Sequence, residues 1–213
     1  GRTAGNVVDE MEYFFRKMAV TDFHFSDLDP TVNDKRTRAI CQELIRRKLP
    51  ITWKIAQGTK IETIKSIETL RLMKQAGCAY FSFSPESGSP ELMKKLNKPF
   101  DHDYGLKIVR ELNNLKIYTQ ACFIAGCPGE TPDDREQSVN YVKKLVLAGV
   151  DEIAVFIYSP LPGSYFSDQF KGFTHYSELT RSPTWRSDYK SIKAYRRRMY
   201  LVFLASKLRH HPS

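Results

Sequence analysis

Apolar residues along this chain switch between two spacings. Val7 to Met18 repeats them at helical intervals, Asp22 to Ser26 alternates as a strand does, and Asn33 to Lys48 returns to the helical period. Ile51 to Ile55 reads as the next strand. Ile61 to Gln75 reads as the next helix, closing at Gly77, a residue type suited to a helix end. Strand Ala79 to Phe83, helical pieces at Glu91 to Leu96 and Asp103 to Leu115, and strand Ile117 to Ile124 follow. Helix Pro132 to Ala148 has proline in its first turn and Gly149 after its last, and strand Glu152 to Tyr158 ends the series.

Strands separated by helices of this length pair in parallel through right-handed crossovers, as a barrel or as an open doubly wound sheet. The spacing does not choose between them. Ala121 to Ile124 and Ala154 to Ile157 are continuously apolar, as expected of strands buried on both faces. In either architecture ligands bind at the carboxyl ends of the strands. The polar and Gly/Pro-rich residues gather there: Ser26-Asp27, Gln57-Gly58, Glu86-Ser87, Gly126 to Glu130 and Ser159 to Gly163.

Composition adds bounds. A 213-residue chain with 41% hydrophobic residues is long enough for one well-buried domain. Neither a bilayer-length apolar run nor a basic-then-apolar leader stands out, so a soluble cytoplasmic protein is expected. Cys41, Cys78, Cys122 and Cys127 lie in apolar segments without regular spacing and read as buried small hydrophobes in a reducing compartment, not as a disulfide framework or metal ligands. The 33 Lys and Arg against 24 Asp and Glu give a net charge of +9. Much of it crowds the last helical stretch, from Lys190 to Arg209, where Tyr195, Met199, Tyr200, Phe203 and Leu204 form an apolar stripe. A solvated face on a packing helix, a membrane-surface contact and a docking face all fit that stripe.

Three strand tips carry the candidate chemistry. Phe123 to Thr131 runs an apolar strand into a Gly/Pro turn that opens a helix, and glycines there let a flat ligand approach bare backbone beside free N–H groups. Phe83 to Ser89 lies one strand earlier and Tyr158 to Ser164 one strand later. Glu86 follows a strongly apolar strand, so its carboxylate is either on an exposed turn or desolvated and in need of a donor. Ser87 and Ser89 read equally as helix caps, and Asp27 as a cap for the helix after Pro30. Gln57 and Lys60, after their strand, are positioned to face ligand or substrate, and read more readily as exposed loop residues. His210 and His211, beside Pro212, read as a frayed end.

The ordered set Val7-Val8-Asp9-Glu10, Phe25-Ser26-Asp27, Cys41 to Ile45, Met73 to Cys78, Glu86-Ser87-Gly88-Ser89, Phe123 to Thr131 and Pro160-Leu161-Pro162-Gly163-Ser164 resembles the radical S-adenosylmethionine (radical SAM) superfamily, most of all members with an upstream cobalamin-binding domain. The resemblance implies an α/β fold: a partial six-stranded (β/α) barrel over residues 1–164, missing its first strand and cluster loop, with an aromatic and basic helical extension over 165–213. It implies an enzyme that binds S-adenosylmethionine beside a [4Fe-4S] cluster and generates a 5′-deoxyadenosyl radical for hydrogen abstraction, with cobalamin-dependent methyl transfer open for the full-length protein.

By the same resemblance, Ser26 and Asp27 contact the methionyl amino group, in place of the usual Gly-Gly-Glu. Glu86, with Ser87 beside it, accepts from the ribose hydroxyls or the amino group. Ile124, Gly126 and Gly129 face the adenine and ribose, and Tyr158 and Pro160 give backbone contacts to the adenine. The Cys-x-x-x-Cys-x-x-Cys loop is absent, so the chain reads as a fragment whose cluster ligands lie in an upstream segment of the same protein. The implied partners are that segment, a small-molecule or lipid-like substrate and a reductant such as flavodoxin or ferredoxin. Two other classes stay open: a degenerate nucleotide-binding module without redox chemistry, and a basic RNA-modifying or docking domain, which the lack of basic and aromatic interleaving at the strand tips disfavours.

Overall fold

The structure is a computed structural model that describes residues 1–27, 29–160, 163, 166, 173, 175–179 and 182–210. Among these, helices α1 (Ala4–Met18), α2 (Asp34–Arg47), α3 (Ile67–Gln75), α4 (Pro90–Lys95), α5 (His102–Asn114), α6 (Pro132–Ala148) and α7 (Tyr189–His210) alternate with strands β1 (Asp22–Phe25), β2 (Thr52–Thr59), β3 (Cys78–Glu86), β4 (Tyr118–Ala125) and β5 (Glu152–Ile157) until the chain passes β5. The strands form one sheet in the order β1-β2-β3-β4-β5. Helices α2, α3 and α6, and α4 with α5 together, each therefore return the chain to the next position along the sheet. The alternation expected from the sequence is present.

The chain divides into two compact units. The first comprises Gly1–Ser84, Asp103–Ala121 and Ala148–Glu152. In it β1 pairs in parallel with β2, Phe25 opposite Ile55, and β2 pairs in parallel with β3. The register of the second pair slips between Ile55 and Thr59, where Gly58 takes φ +69°. That bulge carries β2 four residues beyond the expected end at Ile55. Thr3, Asn33 and Ser66 cap α1, α2 and α3 with side-chain oxygens. Because Ser66 restarts the helix, the expected Ile61 to Gln75 helix is instead a 3-10 turn at Ile61–Thr63 followed by α3, and Ile61 and Ile64 are buried outside any α-helix. Arg47, at the end of α2, pairs with Asp9 and Glu12 of α1 and with Glu43, each at 2.7 Å.

The sheet buries one face along its length and the other in part, with Ser82 and Cys122 buried on the second face. On one side Trp53, Ile55, Phe81, Phe83 and Ala121 are at most 3% exposed. Each large side chain among them contributes about 2 kcal/mol by leaving water. On the other side Tyr80 and Gln120 both donate to the Glu152 carboxylate, at 2.6 and 2.7 Å, Ser82 donates to Gln120 at 3.0 Å, and the Tyr80 ring stacks on Tyr118. In the second unit, Pro85–His102, Cys122–Leu147 and Ile153–Ser213, β5 alternates likewise, with Phe156 39% exposed between buried Val155 and Ile157. Burial on both faces is thus realised at Ala121 to Phe123, with Ile124 half-buried, and not at Phe156 in β5. In α7, Ile192, Tyr195, Met199 and Phe203 face inward, whereas Tyr200 and Leu204 of the expected stripe are exposed. No helix among the described residues is long and apolar enough to cross a membrane.

Candidate functional site

In the first unit, Ser26 and Asp27 follow β1 and border a cavity of about 800 Å³ that Phe14, Phe23 and Phe25 also line. Asp27 is exposed, 3.8 Å from the Arg36 guanidinium. It does not cap the following helix: Asn33 does, accepting the Arg36 N–H at 3.0 Å. The neighbouring Asp29 organises the loop, its carboxylate accepting the Thr31 N–H at 3.2 Å and the Thr31 and Thr59 hydroxyls at 3.0 and 2.5 Å. Gln57 and Lys60 are exposed.

In the second unit, Glu86 ends β3 in the left-handed region, with φ +57°. A side chain there costs about 1 kcal/mol, so the fold holds Glu86 against its own preference. Its carboxylate is buried and accepts from Lys98 Nζ at 3.0 Å. Of the two readings left open, desolvated with a donor is the one realised. Burial raises the Glu86 carboxyl above its ordinary value, and the Lys98 ammonium holds part of that rise back.

The next residues are bolted to α6. Ser87 and Ser138 share a hydroxyl hydrogen bond at 3.0 Å, the Gly88 N–H donates to Ser138 Oγ at 2.9 Å, and the Ser87 carbonyl accepts from His102 Nε2 at 2.9 Å. Ser89 caps α4 and donates to Asp134. Ser89 is therefore a cap, and the Ser87 hydroxyl is engaged within the protein. Gly88 lies so close to α6 that a Cβ on it would sit 2.5 Å from the Gln137 carbonyl oxygen.

Raised Glu86 has a consequence for stability. The folded state holds a proton on this group that the unfolded chain releases from about pH 4.5 upward, so its contribution falls as pH rises from there through the folded value. Glu130, raised by burial, acts in the same direction, whereas Asp134 and Asp188 are lowered and act below this window. Glu86→Gln should therefore flatten the decline in unfolding free energy above pH 4.5 without abolishing it, as read by urea unfolding across pH. An unchanged slope would remove Glu86 from the account.

Past β4, the turn Gly126 to Glu130 is clamped from inside. Gly126 and Gly129 take φ +78° and +72°. The Glu130 carboxylate, 2% exposed, accepts the Gly126 N–H at 2.9 Å and Arg135 Nε at 2.8 Å. A Cβ on Gly126 would meet Ile192 Cδ1 at 2.5 Å, while nothing lies within 4 Å of one on Gly129. Ile124 is half-buried on the strand before them. Past β5, the Tyr158 N–H donates to the Ala125 carbonyl at 2.9 Å and Pro160 is buried. Between them, the Ser159 hydroxyl oxygen is buried with no hydrogen-bond partner among the described residues. Leu161, Pro162 and Ser164 of the expected rim, and Phe170, His211 and Pro212 of the tail, lie outside the described residues.

The second unit thus carries Glu86, Ser87, Ile124, Gly126, Gly129, Tyr158 and Pro160, and the first carries Ser26 and Asp27. Two contributors were not singled out from the sequence. Glu130 stood beside its turn without an assigned contact, and Arg186, whose guanidinium donates to the Gly126 and Tyr158 carbonyls at 3.0 and 2.8 Å, gives no local signal.

The four cysteines are buried and unpaired by disulfides. Burial pushes Cys41 up to about 12, and Cys78 and Cys127 up as well. Among the described residues, no group of three or more His, Cys, Asp and Glu side chains could hold a metal ion.

The model of the radical SAM superfamily matches residues 1–142. An uncharacterized methyltransferase of Pyrococcus horikoshii is 24% identical over 77% of the chain, which covers 34% of that protein. The anaerobic magnesium-protoporphyrin IX monomethyl ester cyclase of Cereibacter sphaeroides is 30% identical over 64% of the chain and 22% of its own length. The chain therefore spans about a third or less of these curated relatives. Among solved structures, the radical S-adenosylmethionine methyltransferase TsrM of Kitasatospora setae, with cobalamin and a [4Fe-4S] cluster bound, superposes with a TM-score of 0.68 at 21% identity, over 79% of this chain and 33% of that one. Coproporphyrinogen III oxidase (HemN) of Escherichia coli gives 0.62 at 18% identity, over 92% and 46%. At these identities the likeness is one of fold, the parallel α/β arrangement of a partial barrel.

Proposed function

The chain belongs to the radical SAM superfamily, and on that premise we propose that the strand tips of its second unit hold the nucleoside half of S-adenosylmethionine. The protein is a radical SAM enzyme by class. The observation that carries the finer reading is Glu86: a buried carboxyl group fixed in a left-handed conformation at a strand tip, with one ammonium hydrogen-bonded to it. Such a group is placed to accept from paired ribose hydroxyls, since an ionised carboxylate offers two acceptor oxygens and Lys98 occupies one of them.

The Gly126 to Glu130 turn offers bare backbone at Gly129, and Ile124 an apolar face for a purine. Tyr158 and Pro160 belong to the next tip, where the buried Ser159 hydroxyl has no hydrogen-bond partner among the described residues. S-Adenosylmethionine fits this set of donors and acceptors. An iron–sulfur cluster does not fit the four buried, scattered cysteines, so no step through it is derived from these residues. In the full-length protein we assign residues 1–164 to the cofactor-binding core, the cluster ligands to a segment outside the described residues, and cobalamin-dependent methyl transfer to the whole, as the named neighbours favour.

The test is anaerobic reconstitution of the full-length protein with iron and sulfide, followed by reduction in the presence of S-adenosylmethionine. The expected results are a reduced-cluster EPR signal, 5′-deoxyadenosine in the product, and about tenfold weaker S-adenosylmethionine binding in Glu86→Gln. Binding of the nucleoside without any cleavage would replace this reading with the nucleotide-binding module.

A further inference from the structure

Arg186 lies beyond the matched residues 1–142, in the stretch that leads into α7, yet its guanidinium is buried at the tips of two strands. Nη1 donates both to the Gly126 carbonyl at 3.0 Å and to the Tyr158 carbonyl at 2.8 Å. Nε and Nη2 hold the Asp188 carboxylate at 2.9 and 2.8 Å, which lowers the Asp188 carboxyl and neutralises the buried cation. The local chain is braced to keep it there. The Arg186 N–H donates to the Pro183 carbonyl, the Trp185 indole N–H donates to the Glu178 carbonyl, and Ile192 in the first turn of α7 fills the space over Gly126 where a Cβ would stand.

The two tips are thereby bracketed from both sides. Gly126 gives its N–H to Glu130 and its carbonyl to Arg186, while Tyr158 gives its N–H to Ala125 and its carbonyl to the same nitrogen of Arg186. One donor atom shared by two carbonyls sets their separation. That shared nitrogen and the Tyr158–Ala125 hydrogen bond hold the two tips side by side, so a flat heterocycle would lie across them and not between them.

Resting on the nucleoside reading of this rim, we propose that Arg186 is a positioning residue, supplied by the C-terminal segment, that fixes the β4 and β5 tips in the relative position on which the adenine side would lie. It does not touch the ligand. It acts through the two carbonyls, and a planar fork with five donors is needed to hold them and Asp188 at once; a lysine ammonium cannot reproduce that geometry.

The experiment measures Kd by isothermal titration on the full-length protein for S-adenosylmethionine and for 5′-deoxyadenosine, in wild type, Arg186→Lys and Asp188→Asn, with the melting temperature of each. Arg186→Lys should weaken both ligands by about tenfold, because both carry the adenosine half, and Asp188→Asn by a smaller factor in the same direction. Iron and sulfide content should stay at the wild-type level. Equal Kd values in wild type and Arg186→Lys overturn the proposal, as does weakening of S-adenosylmethionine alone. If Arg186→Lys does not fold, Asp188→Asn decides by the same criterion. Failure of the wild type to bind either ligand removes the nucleoside reading itself, and this inference with it.

Discussion

Glu130→Ala is expected to cost the protein about 3 kcal/mol and to weaken S-adenosylmethionine binding at least tenfold. The Glu130 side chain is 2% exposed, and its removal leaves the Gly126 N–H and the Arg135 guanidinium without the acceptor that organises the turn. Removing one member of a buried, hydrogen-bonded charge pair costs about 3–5 kcal/mol, and Arg135, at 24% side-chain exposure, recovers part of that from water. Glu130→Gln keeps an oxygen for Gly126 and loses only the charge, so it should fall between. Urea unfolding and ligand titration on the three proteins read this directly. An alanine variant as stable as wild type would mean that the turn holds its shape without the clamp.

The second large effect is steric. Gly88→Ala places a methyl group 2.5 Å from the Gln137 carbonyl oxygen and 2.6 Å from the Ser138 Cα, both backbone atoms of α6 that cannot rotate away. The loop after Glu86 and the helix must separate, which breaks the Ser138 hydrogen bonds to Ser87 and Gly88. Overpacking of this kind costs about 1–3 kcal/mol, and the lost hydrogen bonds bring the sum to about 3, a fall in melting temperature of about 6–12 °C for a chain of this size. Gly129→Ala is the control. Its Cβ meets nothing within 4 Å, so only the left-handed conformation, φ +72°, opposes it, at about 1 kcal/mol. Equal melting temperatures for the two variants would refute the steric account.

What could be read from the sequence was local. Helix α6 runs from Pro132 to Ala148 as expected because proline and Gly149 mark its two ends by backbone chemistry alone. β2 and β3 run longer than read, to Thr59 and Glu86, because Gly58 and Pro85 look like turn residues although the chain stays extended past them. Glu86 and the Gly126 to Glu130 turn could be picked out because their side-chain types stand at recognisable strand ends. The engagement of Ser87 with Ser138, and of Arg186 with Gly126 and Tyr158, could not, since these join residues 51, 60 and 28 positions apart with no periodic pattern between them.

The sheet of the first unit divides its residues by what they can tolerate. Phe81 and Ala121 point into a packed interior, where a change of one methylene is felt by every neighbour. Tyr80, Gln120 and Glu152 point the other way, where Tyr80 and Gln120 both donate to Glu152, so a change at one of them falls on that hydrogen-bonded set before it reaches the interior. A lineage carrying this chain could therefore alter the chemistry of one side of its sheet repeatedly and keep the same scaffold, and related proteins should differ most at those positions.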